Sequence, residues 1–297
     1  MVAAPAWKVS GHATTYMDLL HILILALVQG AAELLPVSSS AHVIVAEKLM
    51  GLDPTAPAMT MLLVMLHTGT MFAVIVYFWQ SWRKTYFSSM AEFRRQAWYI
   101  VIATAATGVV GLTLQEAIKR GFAHNAPDFE IEQLFGNARL MAAALLAAAV
   151  LIIGSARLPQ SGSRSLTARR AVWIGAVQGL CLPFRGFSRS GATISTGLAL
   201  RIDRRQAEEF SFALAVALTP AVLVKELHRL FKTGAAGAIQ HPNGWLHALA
   251  PDLAGMVFSF LAGLAALRWL SGWLERGHWH YFGIYCVFAA AVVLWVG

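Results

Sequence analysis

Between Leu19 and Ala46 the only Asp, Glu, Lys or Arg is Glu33, set in an otherwise apolar run. An ionisable group at membrane depth costs roughly 2.5–3.5 kcal/mol even on lenient insertion scales, so it faces a cavity or a partner. Gln29 lies four residues earlier, on the same face of a helix, so both side chains can address one site. The plainer alternative is a Glu that pairs with an Arg merely to hold two helices together. Pro36 then interrupts the helix, and Ser38, Ser39 and Ser40 precede a new apolar segment containing His42. A serine-rich helix start offers unpaired backbone N–H groups, hydroxyls and the positive end of a dipole, which suits phosphate. If the turn after the serines is helical, Ser39 and His42 share a face, and a hydroxyl beside an imidazole is the minimal activated-nucleophile pair. Ordinary capping with a satisfied histidine remains open from this segment alone.

A second segment carries the complementary charge. Between Ala171 and Leu200 the only charged residues are Arg185 and Arg189. Arg189 sits between Ser188 and Ser190 and four residues before Thr193, in a serine-bearing helix start flanked by Gly186 and Gly191. Glycines permit close backbone approach. A guanidinium among hydroxyls binds phosphate bidentately and keeps its proton. Two anion-shaped helix starts describe a site for one polyanion, where Glu33 and Gln29 could hold a divalent cation against pyrophosphate oxygens.

The elements that must position these residues are membrane helices. The chain of 297 residues is 58% hydrophobic and only 13% charged, against about 25% charged in soluble domains. Spans are expected at 60–79, 97–115, 140–156, 209–224, 253–271 and 279–297, each near the roughly 20 apolar residues a bilayer crossing needs. The net charge of +8 comes from Lys and Arg in short loops, which fits orientation by the positive-inside effect and not a nucleic-acid face. Loops 80–96 and 157–170 each hold four Lys/Arg and are placed in the cytoplasm, whereas 116–139 holds three with four acids. The loop 225–252, with Lys225, Arg229 and Lys232, falls outside and resists that scheme. Val28-Gln29-Gly30 returns as Val177-Gln178-Gly179, half a chain later, and Ser39 then falls on Ser188. The expected fold is therefore an all-α polytopic membrane protein, one domain over 1–297. It has inverted-topology repeats (about 17–156 and 170–297), about six transmembrane helices, and re-entrant hairpins at about 19–50 and 171–200. The first 18 residues lack the basic, apolar and small-residue order of a cleaved signal.

The run VQGAAELLPVSSSAHVI resembles the first signature of the bacterial undecaprenyl-pyrophosphate phosphatases, the bacitracin-resistance proteins: Glu or Gln, three residues, Glu, then Pro-x-Ser-Ser and a histidine. GFSRSGATIS resembles the second, Pro-Gly-x-Ser-Arg-Ser-x-x-Thr. LHTGTMFAVIVYFW and EEFSFALAVALTPA are similar to further family segments, so the resemblance covers about 19–297. It implies hydrolysis of undecaprenyl pyrophosphate to undecaprenyl phosphate and inorganic phosphate, recycling the lipid carrier of peptidoglycan synthesis. Bacitracin resistance would follow, because the drug sequesters the pyrophosphate form. The implied site is Glu33 and Gln29 near a Mg2+ or Ca2+ ion, Ser39 as nucleophile and His42 as its acid/base partner. Arg189 would bind pyrophosphate, with Ser38, Ser40, Ser188, Ser190 and Thr193 in support. The implied location is the bacterial inner membrane with the site facing the periplasm; the partners are the lipid substrate and the bilayer, a homodimer being left open.

Arg185 stands where the second signature usually has proline; it either helps to hold phosphate or pairs with Glu33. Ser39 attack competes with a water activated by His42. A transporter or flippase of phosphate headgroups is the alternative class, since inverted repeats and broken helices also describe secondary transporters. The lipid phosphatases that place a histidine six residues after Ser-Arg are excluded, because position 195 is Ser and no histidine lies between Ser188 and Ser211. His21 and His67 read as interhelical hydrogen bonders, Thr219-Pro220 as a kink, and Glu208 and Glu209 as solvated partners of Arg204 and Arg205. Cys181 and Cys286 read as buried small hydrophobes.

Overall fold

The computed structural model describes residues 18–53, 57–122, 137–158, 164–232 and 245–296, and ten helices make up nearly all of them. Residues 1–17 of the N-terminal stretch read as lacking a signal lie outside the described residues. So do the loop acids Asp128, Glu130 and Glu132 and the side chains of Lys225, Arg229 and Lys232.

The first helix, α1 (Leu19–Leu34), starts where the Asp18 carboxylate accepts a hydrogen bond from the His21 N–H at 2.9 Å. It stops at Leu35, which is extended with φ −72° and ψ 151°, because the residue before a proline is pushed out of the helical region. The chain turns through Pro36–Ser38 into α2 (Ser39–Leu49). The same arrangement returns in α6 (Ala168–Leu180) and α7 (Arg189–Ala199), where the Ser188 hydroxyl caps the second helix by accepting from the Gly191 N–H at 3.2 Å. At 11 residues each, α2 and α7 are about 16 Å long and do not cross a hydrocarbon core of about 30 Å.

Four helices are long and apolar enough to cross: α3 (Pro57–Thr85), α4 (Met90–Phe122), α5 (Ala138–Ala156) and α9 (Trp245–Glu275). They coincide with four of the six expected spans. Helix α8 (Arg204–Lys232) begins among charged residues and runs on through Pro220, and α10 (His280–Val296) has 17 residues. Thr219 donates to the Ala215 carbonyl at 2.7 Å beside that proline.

Packing arranges the short helices against long ones. Helix α9 lies along α1 and α3, α4 along α6, and α5 along α10. The recurring Val-Gln-Gly triplet has its physical explanation here. A Cβ on Gly30 would stand 2.6 Å from the Ser259 carbonyl oxygen of α9, and one on Gly179 would stand 2.9 Å from that of Thr107 on α4. Gly175 is tighter still, 2.1 Å from the Ala103 oxygen. Small residues let two backbones approach where no hydrophobic drive separates helix from lipid. The core joins Leu34, Phe78, Leu145, Ile194 and Phe212 from five helices with Trp279 of the turn before α10 (His280–Val296). Both cysteines are free, and Cys286 is buried in that core.

Two expectations are corrected. Glu208 and Glu209 are not solvated: they are 3% and 4% exposed. The first turn of α8 packs between the ends of α3 and α9, where Ser271 donates to Glu208 at 2.5 Å and Ser81 donates to Glu209. Arg205 does pair with Glu209, at 3.0 Å.

Replacing Gly175 with Ala overpacks the α4–α6 contact and should destabilise the protein by about 1–3 kcal/mol. Gly108→Ala, with open space where the methyl group would go, should be neutral or stabilising by up to about 1 kcal/mol. Thermal unfolding of both variants in one detergent checks the contrast.

Candidate active site

The two short-helix hairpins meet at Glu33. It leaves the last turn of α1, and its two carboxylate oxygens are used differently. Oε1 accepts from Arg189 Nη2 at 2.7 Å, a contact between residues 156 apart in sequence. Oε2 accepts from the Ser39 hydroxyl at 2.6 Å and, more weakly, from Gln29 Nε2 at 3.3 Å. The ion pair is mostly buried, with side-chain exposures of 23% for Arg189 and 17% for Glu33. A pair so placed resists salt screening. The other guanidinium nitrogen, Nη1 of Arg189, is buried without a partner among the described residues. An unpaired buried donor is costly, and Arg189 is one of the residues that line a small cleft, with Glu33, His67, Thr70, Val216 and Thr219.

The hydroxyls of the first hairpin stand at the start of α2. Ser38 has a positive φ of 69° and makes no side-chain capping bond to the helix. Strain of this kind costs of order 1–3 kcal/mol and persists only where surroundings enforce it. His42 helps to enforce it: its Nδ1 lies 2.8 Å from the Ser38 carbonyl oxygen, and since a carbonyl only accepts, Nδ1 carries the proton. Ser38 and Ser40 hydroxyls lie 3.2 Å apart.

The structure does not bring His42 to Ser39. Both ring nitrogens of His42 are engaged elsewhere, Nδ1 with Ser38 and Nε2 with the Tyr285 hydroxyl at 2.7 Å. Helical spacing puts the two residues on one face, but Glu33 at the end of α1 reaches the Ser39 hydroxyl first. The side-chain partner of the Ser39 hydroxyl is therefore a carboxylate.

In the second hairpin the geometry separates Arg189 from its neighbours. Ser188 caps α7, Ser190 donates to the Leu35 carbonyl at 3.1 Å, and Thr193, fully buried, shares a 2.6 Å hydrogen bond with Ser211 of α8. These hydroxyls join elements together, whereas the guanidinium reaches the cleft. Arg185 is exposed, and the carboxylate it attracts is that of Glu47 near the end of α2, not Glu33.

Sequence reasoning passed over His67 as a helix-to-helix hydrogen bonder. Its Nδ1 donates to the Leu63 carbonyl at 2.8 Å, which turns Nε2 toward Glu33 Oε2 at 3.7 Å. The available signal was its spacing with Thr70, three residues along one face of α3, since both line the cleft. Among the described residues no three His, Cys, Asp or Glu side chains cluster as a metal centre would.

The model of the bacitracin resistance protein BacA family matches residues 22–292. The chain is 64% identical to undecaprenyl-diphosphatase 2 of Acinetobacter baylyi, over 94% of this chain and 98% of the relative. It is 30% identical to the undecaprenyl-diphosphatase of Korarchaeum cryptofilum (94% and 99% covered) and 32% identical to undecaprenyl-diphosphatase 1 of Burkholderia pseudomallei (94% and 96% covered).

Glu33→Gln leaves Arg189 buried beside a neutral amide. A fully buried pair broken in this way costs about 3–5 kcal/mol, and the residual exposure of this one places the loss toward the lower end. Adding Arg189→Gln should recover much of the stability, which a double-mutant cycle on thermal unfolding would measure.

Proposed function

The chain belongs to the bacitracin resistance protein BacA family, and from that membership we propose that it works as a multi-pass membrane phosphatase of undecaprenyl pyrophosphate. It converts this lipid to undecaprenyl phosphate and inorganic phosphate, a reading supported by relatives that are named undecaprenyl-diphosphatases. The observation that carries the mechanism is the 2.6 Å hydrogen bond from Ser39 to Glu33, whose other oxygen is held by Arg189.

Ser39 is the nucleophile. As its oxygen attacks the terminal phosphorus, its proton passes along the existing hydrogen bond to Glu33, and the anhydride P–O bond breaks to release undecaprenyl phosphate. Water then hydrolyses the phosphoserine, giving inorganic phosphate and restoring the hydroxyl. Arg189 Nη1, buried without a partner among the described residues, donates to phosphate oxygens as charge spreads over them, while Nη2 keeps Glu33 in place. The uncapped start of α2 adds backbone N–H groups and a dipole of the right sign. His42 braces the strained turn at Ser38 and serves as the acid/base partner of the departing and entering oxygens.

A Mg2+ or Ca2+ ion fits the donors present, which are hard oxygens: one carboxylate, an amide and hydroxyls. Mg2+ usually binds through one or two carboxylates plus substrate phosphates, so Glu33 and Gln29 would hold it with the pyrophosphate supplying further ligands. Such an ion would neutralise phosphate charge.

The helix order supports two related halves. Short helices of 16 and 11 residues followed by longer ones of 29, 33 and 19 are echoed by 13 and 11, then 29, 31 and 17. We read these as inverted repeats whose short hairpins enter and leave the bilayer on one side each, with α3, α4, α5, α8, α9 and α10 as six spans. The basic loops lie in the cytoplasm by the positive-inside effect, which places the cleft toward the outer face of the inner membrane.

Purified protein in detergent should release phosphate from a long-chain polyprenyl pyrophosphate and lose that activity in EDTA. Ser39→Ala should lower turnover by at least about 10³-fold, and Arg189→Ala should impair it strongly. Retained turnover in Ser39→Ala would transfer the attack to water, and silence of well-folded wild-type protein would favour headgroup transport.

A further inference from the structure

The mechanism leaves one contact to the site unused. Tyr285 comes from α10, at the far end of the chain, and its hydroxyl lies 2.7 Å from His42 Nε2 across 243 residues of sequence. The two rings are nearly parallel, 12° apart, with centroids at 5.6 Å. The next residue, Cys286, reaches the same turn, its thiol 3.4 Å from the Pro36 carbonyl oxygen. Two successive residues of α10 thus grip both ends of the Pro36–His42 segment.

The chemistry of the contact has one consistent assignment for a neutral ring. The Ser38 carbonyl only accepts, so Nδ1 carries the proton, and Nε2 presents a lone pair. The phenol must then donate to Nε2. Free rotation of the imidazole is lost, because a ring flip would forfeit both bonds at once. Nothing on α2 itself supplies this restraint: Ser39 is committed to Glu33.

We infer that Tyr285 is a positioning residue for the reaction, fixing the orientation of the His42 ring through the hydrogen bond to Nε2. The inference rests on the proposed acid/base role of His42. The hydroxyl keeps Nε2 aimed and proton-accepting until a phosphate oxygen or water arrives at the start of α2. It also couples the last helix of the chain to the first hairpin, so that the nucleophile's surroundings are complete only when α10 is docked. The ring is 42% exposed, which leaves its edge room to withdraw when Nε2 changes partner.

Tyr285→Phe removes one oxygen and preserves the ring. The expected result is a fall in kcat of about five- to tenfold, the scale of one lost hydrogen bond, with KM for the polyprenyl pyrophosphate unchanged. In 15N-histidine-labelled protein the His42 Nε2 resonance should shift while Nδ1 stays protonated. The decisive comparison is the double variant: in a His42→Ala background, Tyr285→Phe should have no further effect on kcat. A merely structural tyrosine would reduce activity by the same factor in both backgrounds, and that additive outcome overturns the inference. So does a Tyr285→Phe protein with wild-type kcat and an unchanged histidine spectrum while His42→Ala is impaired. If His42→Ala itself turns over normally, the acid/base role of His42 falls, and the inference falls with it for that separate reason.

Discussion

The Glu33–Arg189 ion pair sets the terms for the rest of the molecule. A carboxylate in an apolar helix and a guanidinium in another are each expensive at membrane depth, and each becomes tolerable only beside the other. They lie 156 residues apart, so the fold must deliver the end of α1 and the start of α7 to one point. Pro36 ends α1 within one turn of Glu33, and Ser188 caps α7 immediately before Arg189. The Ser190 bond to the Leu35 carbonyl then ties the two turns together beside the pair. The ion pair satisfies Oε1 and Nη2, Ser39 takes up Oε2, and Nη1 is left without a partner among the described residues. On the proposed mechanism, that donor is what would let the pair bind an anion.

The hydroxyls around the pair divide by direction. Those of hairpin two, at Ser188, Ser190 and Thr193, point into protein and replace the water that a membrane interior lacks. The Ser39 hydroxyl of hairpin one points at Glu33. The difference arises because α7 is enclosed by α5, α6 and α8, with every residue from Ser190 to Leu198 buried, whereas α2 keeps an open flank. The different direction of the hydroxyls in two similar hairpins thus follows from how each is packed.

Close approach is the means by which the short helices are held. Gly30 against α9 and Gly175 and Gly179 against α4 remove the side chains that would hold the backbones apart. Near the C-terminal ends of α3 and α9, a second polar layer of Glu208, Glu209, Ser81, Ser271 and Arg205 serves the same end by hydrogen bonding. Glycine contacts and buried hydroxyl–carboxylate bonds are alternative solutions to one problem, the absence of a hydrophobic drive between helices in lipid.

The sequence by itself determined the solvent, the helical class and the chemical parts. Uncharged runs of spanning length leave few alternatives in a bilayer, and a lone Glu33 or Arg189 within such a run must have a partner. Gln29, Glu33, Ser39 and Arg189 were legible for that reason, and the Val-Gln-Gly repetition marked two places where helices approach closely. Partner choice was not legible. Periodicity puts Ser39 and His42 on one face of α2, but it carries no record of Glu33 entering from the preceding helix or of Tyr285 arriving from α10. The burial of Glu208 and Glu209 was hidden likewise, since two acids beside two arginines read as a wet surface until α3 and α9 close over them. Spacing along a chain reports which side chains share a face; only the tertiary structure decides which face meets which, because hydrogen bonds between distant elements depend on packing that no local pattern encodes.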